Sequence, residues 1–151
     1  MGQSLSAIYI HLIFSTRGRE SLFDETTQTK LWQYLGGICN GTGCIPVQIG
    51  GTDNHVHLLV VLSRNIAVME LVRKLKADSA NWLKRVDEKY QSFGWQTGYG
   101  AFSVNPAECG KVIEYILNQK QHHEKRNFCD ELRLFLKKYS VDYNEKYLWN
   151  D

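Results

Sequence analysis

An α+β sandwich, one antiparallel sheet with helices packed on it, is predicted for this chain by three observations. Four short segments rich in β-branched and aromatic residues alternate with long stretches of helical periodicity. Residues suited to cap helices stand ahead of those stretches. The 151 residues, with 43% hydrophobic and 23% charged content, have the size and composition of one soluble domain with a core of its own.

The first strand is read from Ala7 to Ser15, AIYIHLIFS, and leads into the loop TRGRE. Asp24 is an N-cap for a helix over ETTQTKLWQYLGGIC, which ends near the glycines of CNGTG. A second strand, Ile45 to Ile49, reaches a turn at Gly50-Gly51, and a third, His55 to Leu62, completes a hairpin. Asn65 is read as the cap of a helix from about Ile66 to Tyr90, with Val68, Leu71, Val72, Leu75, Ala80 and Leu83 near helical spacing. Trp95 to Val104, WQTGYGAFSV, is a fourth, glycine-interrupted strand. Asn105-Pro106-Ala107-Glu108 combines an N-cap, proline at the first helical position and glutamate at the third, so a helix starts there and runs to about His123. FCDELRLFLKKY reads as a further short helix, and the tail VDYNEKYLWND carries no pattern.

The order β, α, β, β, α, β, α, α is the split βαβ arrangement of a ferredoxin-like (RRM-like) sandwich, with helices on one face of the sheet and extra C-terminal helices. We expect one domain over 1–151, a core of about 7–124 and a helical extension of about 125–151. No apolar run approaches the roughly 20 residues of a membrane span. The N-terminus lacks a basic region and passes into a strand, so it does not read as a signal peptide; MGQSLS fits only a loose myristoylation pattern. Cys39, Cys44, Cys109 and Cys129 form no CxxC, which leaves reduced thiols and a cytoplasmic location as the expectation. Cys39 and Cys44 would need two further ligands to hold zinc, and the local sequence has none. A net charge of +2 implies no partner by itself.

The stretch DNHVHLLV carries the first chemistry. Alternate strand residues share a face, so His55 and His57 project together with roughly 7 Å between their Cα atoms, within reach of one metal ion. Taken alone, the pair reads more readily as two polar residues in a strand than as ligands, and two ligands are too few for a catalytic metal. In KVIEYILNQKQHH, Tyr115 and Gln119 are i and i+4 on one helical face, His122 follows at i+7 and His123 is close to it. A phenol needs a polarised target to attack, and a phosphodiester held on a divalent cation is one.

HVHLLV and YILNQKQHH, joined by FGWQTGYGAFSV and preceded by HLIFSTRGRE, resemble the single-tyrosine HUH transposases of the IS200-like insertion sequences from about Tyr9 through His123. HUH denotes histidine, hydrophobe, histidine. The resemblance implies a ferredoxin-like domain acting on single-stranded DNA, with Mg²⁺ or Mn²⁺ bound by His55, His57 and Gln119 and Tyr115 as nucleophile. It implies a 5′-phosphotyrosyl enzyme, a free 3′-hydroxyl, recognition of DNA hairpins, and a homodimer in which Tyr115 can act in trans. His122 and His123 are left as DNA contacts and not ligands, because an unbroken helix would carry them about 10 to 12 Å along its axis from Tyr115. Asn54 is read as ending a turn rather than orienting a ligand.

Arg17 and Arg19 after the first strand, with Arg73, Lys74, Lys76, Lys84 and Arg85 on the long helix, are the cations available for phosphates, and Trp82 or Trp95 could stack on bases. Rival readings are a non-catalytic nucleic-acid binder, a histidine-triad hydrolase, and a host-serving relative that processes repetitive palindromic DNA. The triad wants a third alternate histidine where this chain has Leu59, and retention of His55, His57, Tyr115 and Gln119 argues against the binder.

Overall fold

The structure, a computed structural model, describes residues 2–149. Its elements are β1 (Tyr9–Ser15), α1 (Glu25–Gly41), β2 (Ile45–Gly51), β3 (His55–Val61), α2 (Val68–Val86), β4 (Gly100–Val104), α3 (Cys109–Leu117), α4 (Gln119–His123), α5 (Phe128–Lys138) and α6 (Glu145–Leu148). The strands form one antiparallel sheet in the order β2-β3-β1-β4, the α+β arrangement expected from the sequence.

The central strands are buried on both faces, which sets the architecture. Leu12, Phe14, Val56, Leu58 and Val60 point to one side and pack with Leu31, Leu35, Leu71 and Leu75 of α1 and α2. On the other side, Ile13 and Phe102 meet Phe128, Leu132 and Leu136 of α5, while Leu59 and Val104 meet Ile116 of α3. Helices therefore cover both faces, not one. The residues of β1 and β3 that alternation assigns to the second face include Ile13 and Leu59, too apolar to leave in water.

Several boundaries move for local reasons. The second long helix begins at Val68 with Ala67 as N-cap, not at Asn65, and ends at Val86 because Asp87 is extended; a 3-10 turn at Glu88–Tyr90 follows and buries Tyr90. Regular β4 starts only at Gly100, although Trp95 still bridges to Thr16. Strand β2 runs through Gly51, with a register shift between Pro46 and Gln48. Asn105 does cap, accepting from the Ala107 N–H, but the expected helix to His123 is interrupted at Asn118 (φ −100, ψ 24). The tail holds one helical turn, α6. No helix among the described residues is long and apolar enough to cross a membrane.

Gly50 sets the seat of α3. A Cβ there would lie 2.9 Å from Ile116 Cγ2 and 3.0 Å from its carbonyl oxygen, so the missing side chain lets α3 lie directly on β2.

Candidate active site

The register of β1 with β3 pairs Ile13 with His57 and Leu59 with His11, so His11, His55 and His57 emerge on the face beneath α3, α4 and α5. All three are essentially inaccessible to solvent, and each finds a polar partner. His55 Nε2 lies 3.0 Å from Gln119 Oε1, and His57 Nε2 lies 3.0 Å from Glu131 Oε1. His11 Nε2 is 2.8 Å from His57 Nδ1. With the His57 Nε2–H donating to the carboxylate, His11 Nε2–H donates to His57 Nδ1.

Asn54 does more than end a turn. Its Oδ1 lies 2.8 Å from His55 Nδ1, and its Nδ2 donates to the Arg19 carbonyl, so it fixes the imidazole while itself being held. Thr52 Oγ1 sits 2.9 Å from the same Nδ1.

Tyr115 is half-buried on α3, and its hydroxyl donates to Glu131 Oε2. Its ring centroid is 5.7 Å from that of His57 in the same chain. Gln119 is 1% exposed, and its Nε2 donates to the Tyr115 carbonyl at 3.2 Å. The break at Asn118 changes the placement expected for the two trailing histidines. His122 stacks on Tyr115 at 4.5 Å between centroids, and His123 turns inward, with its ring 4.3 Å from His55. Both are therefore close to the site, and His123 is largely withdrawn from solvent.

Glu131 ties these groups together. One oxygen lies 3.0 Å from His57 Nε2 and 3.6 Å from His55 Nε2; the other accepts from Tyr115 and lies 3.2 Å from His123 Nε2. Burial alone would raise its pKa, but His57 above all, with His123 and His55, outweighs burial and holds the carboxyl well below the usual range. Burial, then electrostatic interaction with the neighbouring His57, lowers His55 to about 3, so its imidazole is neutral. Burial and the Glu131 charge push the Tyr115 phenol well above its ordinary value.

This donor set suits a cation. His55, His57, His123 and Glu131 each offer one ligand atom, all within 4.8 Å of one another. His123 Nε2 is the buried side-chain nitrogen among the described residues left without a hydrogen-bond partner, since its approach to Glu131 is not aligned as one. Imidazole nitrogens and a carboxylate oxygen are donors that a divalent cation takes once the ligating atoms are free of protons. A cavity of about 640 Å³ opens onto Tyr115 and Glu131, with Lys111, Arg126 and Lys138 on its walls.

Other sequence-predicted residues lie elsewhere. Arg73, Lys74, Lys76, Lys84 and Arg85 belong to α2, across the sheet from the histidines. Lys74 pairs with Asp78, and Lys76 Nζ donates to the carbonyls of Gln96 and Gly98, its partial burial lowering it to about 8. Trp95 is buried with its indole N–H on Ser79 Oγ, and Trp82 stacks on Tyr34, so both rings serve the core side. Arg17 packs on Gly94, and Arg19 lies 5.6 Å from the Trp149 ring.

The sequence reading missed His11 and Glu131. Each had a signal. His11 sits on the same alternation as Ile13, and Glu131 interrupts the Phe128, Leu132, Leu136 stripe with a charge on the buried face of α5.

The sequence pattern of the family "Transposase IS200 like" matches residues 4–119. No curated protein sequence matches. Among solved structures, a candidate transposase from Deinococcus radiodurans R1 is similar with a TM-score of 0.62 at 22% identity, over 79% of this chain and 96% of that one. A REP-associated tyrosine transposase bound to a REP hairpin is similar with a TM-score of 0.61 at 13% identity, over 82% and 72% of the respective chains. These likenesses show a shared fold.

Proposed function

The chain belongs to the IS200-like transposase family, and from that premise we propose that it cleaves and rejoins single-stranded DNA through a covalent bond to Tyr115. The observation that carries the reading is the meeting, in one buried patch, of a tyrosine hydroxyl with two imidazoles, an amide oxygen and a carboxylate. His55, His57 and Gln119 are the ligands we assign to Mg²⁺ or Mn²⁺. When bound, the cation neutralises phosphate charge and stabilises the leaving oxygen. Two imidazole donors suit Mn²⁺ better than Mg²⁺, which prefers oxygen.

The scissile phosphodiester enters through the cavity beside Tyr115, where Arg126, Lys111 and Lys138 offset its charge. Tyr115 Oη attacks phosphorus in line, the bond from phosphorus to the 3′-oxygen breaks, and a 5′-phosphotyrosine forms. The Oη proton is released to solvent through the cavity as the new bond forms, and one proton joins the departing 3′-oxygen to give a hydroxyl. Attack by a second 3′-hydroxyl on the phosphotyrosine reverses these steps and joins strands without ATP.

The seating of α3 on Gly50 of its own sheet, and the Tyr115 contact with Glu131 of the same chain, support catalysis in cis within any homodimer. The substrate we assign is a DNA hairpin with a single-stranded flank. Hairpins from the ends of a mobile element and hairpins from palindromic repeats separate a self-mobilising enzyme from a host-serving one, and the relative bound to a REP hairpin makes the second arm worth including.

The test is incubation of the purified protein with Mn²⁺ and such an oligonucleotide, followed by denaturing electrophoresis. A covalent adduct is expected for wild type and none for Tyr115→Phe or after chelation. An adduct at wild-type level in Tyr115→Phe would refute the nucleophile, and no adduct with any hairpin would favour a non-catalytic binder. His57→Ala is expected to keep hairpin binding and lose cleavage; loss of both would mark that histidine as structural.

A further inference from the structure

We propose that Glu131, on α5 and outside the segment matched by the family, is itself a metal ligand and at the same time the residue that positions the nucleophile. The inference rests on reading the histidine pair as a metal site. Its two oxygens face different tasks. Oε1 lies 3.0 Å from His57 Nε2 and 3.6 Å from His55 Nε2, between the two nitrogens that a cation would use. Oε2 accepts the Tyr115 hydroxyl.

A carboxylate that is 2% exposed must be paired or coordinated. Here it leans on groups that are themselves ligand donors, and a cation between Oε1 and the two Nε2 atoms would replace the proton now shared with His57. The tautomers of His57 and His11 would then both invert, with His57 Nδ1–H donating to His11 Nε2, 2.8 Å away. His55 needs no rearrangement beyond Nδ1–H donating to Asn54 Oδ1 at 2.8 Å. Both imidazoles thus have an acceptor behind them that suits metal binding at Nε2.

The consequence is a direct link between metal and nucleophile. One carboxylate would serve both, with Oε1 beside the two histidine nitrogens and Oε2 on the hydroxyl, and the residues that would hold the cation become His55, His57, Gln119 and Glu131. That set favours Mn²⁺ over Mg²⁺. Gln119 bonds His55 alone among the two histidines, whereas Glu131 approaches both. Its position would make α5, which lies beyond the segment matched by the family, part of the active site.

Mn²⁺ binding to the full chain without DNA tests this, read by the loss of the free-ion electron paramagnetic resonance signal. Wild type, Glu131→Gln, Glu131→Asp, His57→Ala and Tyr115→Phe are compared, with circular dichroism as the check on folding. We expect Glu131→Gln to weaken binding by about 100-fold, at least what loss of a supporting partner costs. Glu131→Asp should restore part of it, and Tyr115→Phe should bind as wild type. Wild-type affinity in Glu131→Gln, with binding lost in His57→Ala, would overturn the ligand role and leave the metal reading standing. Absence of Mn²⁺ binding by wild type would overturn both. The positioning role is read at saturating Mn²⁺ and DNA, where Glu131→Gln should still form adduct more slowly at unchanged DNA affinity; a wild-type rate there would overturn it.

Discussion

The two faces of the sheet are built on the same two strands and are buried alike, yet one is a dry core and the other a polar site. Under α1 and α2, Leu12, Phe14, Val56, Leu58 and Val60 pack into one apolar cluster. One residue out of step, His11, His55 and His57 lie equally buried, with His11 bonded to His57, His57 to Glu131 and His55 to Gln119. Stability and chemistry are thereby separated by the two-residue period of a strand. The apolar face fixes the strands, and the strands hold the imidazoles on rigid backbone, which loops would not do as well.

The largest effect that would break this division concerns Tyr115. Tyr115→Phe should lower adduct formation by about a thousand-fold or more while changing stability by only about 1 kcal/mol, the order of one hydrogen bond. Adduct assay and chemical unfolding on the same sample give both numbers. Leu58→Ala is the reverse case. It should cost about 2–5 kcal/mol in urea unfolding and leave the chemistry of the folded fraction near normal. If cleavage per folded molecule fell as steeply, the two faces would not be independent.

A substitution behind the site should fall between these. His11→Ala removes the partner of His57 Nδ1, so Mn²⁺ affinity in a calorimetric titration should drop by about 10–100-fold. Gly50→Ala presses on Ile116 and should destabilise by about 1–3 kcal/mol as α3 shifts, with a matching slowing of the adduct rate. The smallest change is expected across the sheet. Arg73→Ala, at an exposed position on α2, should alter the rate at saturating DNA by no more than about twofold, and a larger loss would mean that the DNA reaches the core side.

Much of this was legible in the sequence, and the failures have a common cause. Alternation located the strands, Asp24 and Asn105 were correctly read as caps, and spacing put Tyr115 and Gln119 on one helical face, while the link to the His55 and His57 pair came from the family resemblance. What sequence periodicity could not supply was contact across the sheet. His11 reads as one polar residue in an apolar strand until the register brings it to His57. Glu131 reads as an ordinary helix charge until α5 is laid on Ile13 and Phe102. The distance expected between Tyr115 and the trailing His122 and His123 changed for a local reason, because it assumed a straight helix and Asn118 breaks it. Trp95 drew attention as a stacking ring, but its indole N–H is satisfied inside the core by Ser79.

Whether the buried polar face is a cleavage site is tested most directly by peptide mapping. Wild-type protein is reacted with Mn²⁺ and a hairpin oligonucleotide, the DNA is trimmed with nuclease, and the digested protein is analysed by mass spectrometry. The account requires a single modified peptide carrying a nucleotide 5′-phosphate on Tyr115. A nucleotide on any other residue, or hairpin cleavage with no modified peptide at all, would contradict it.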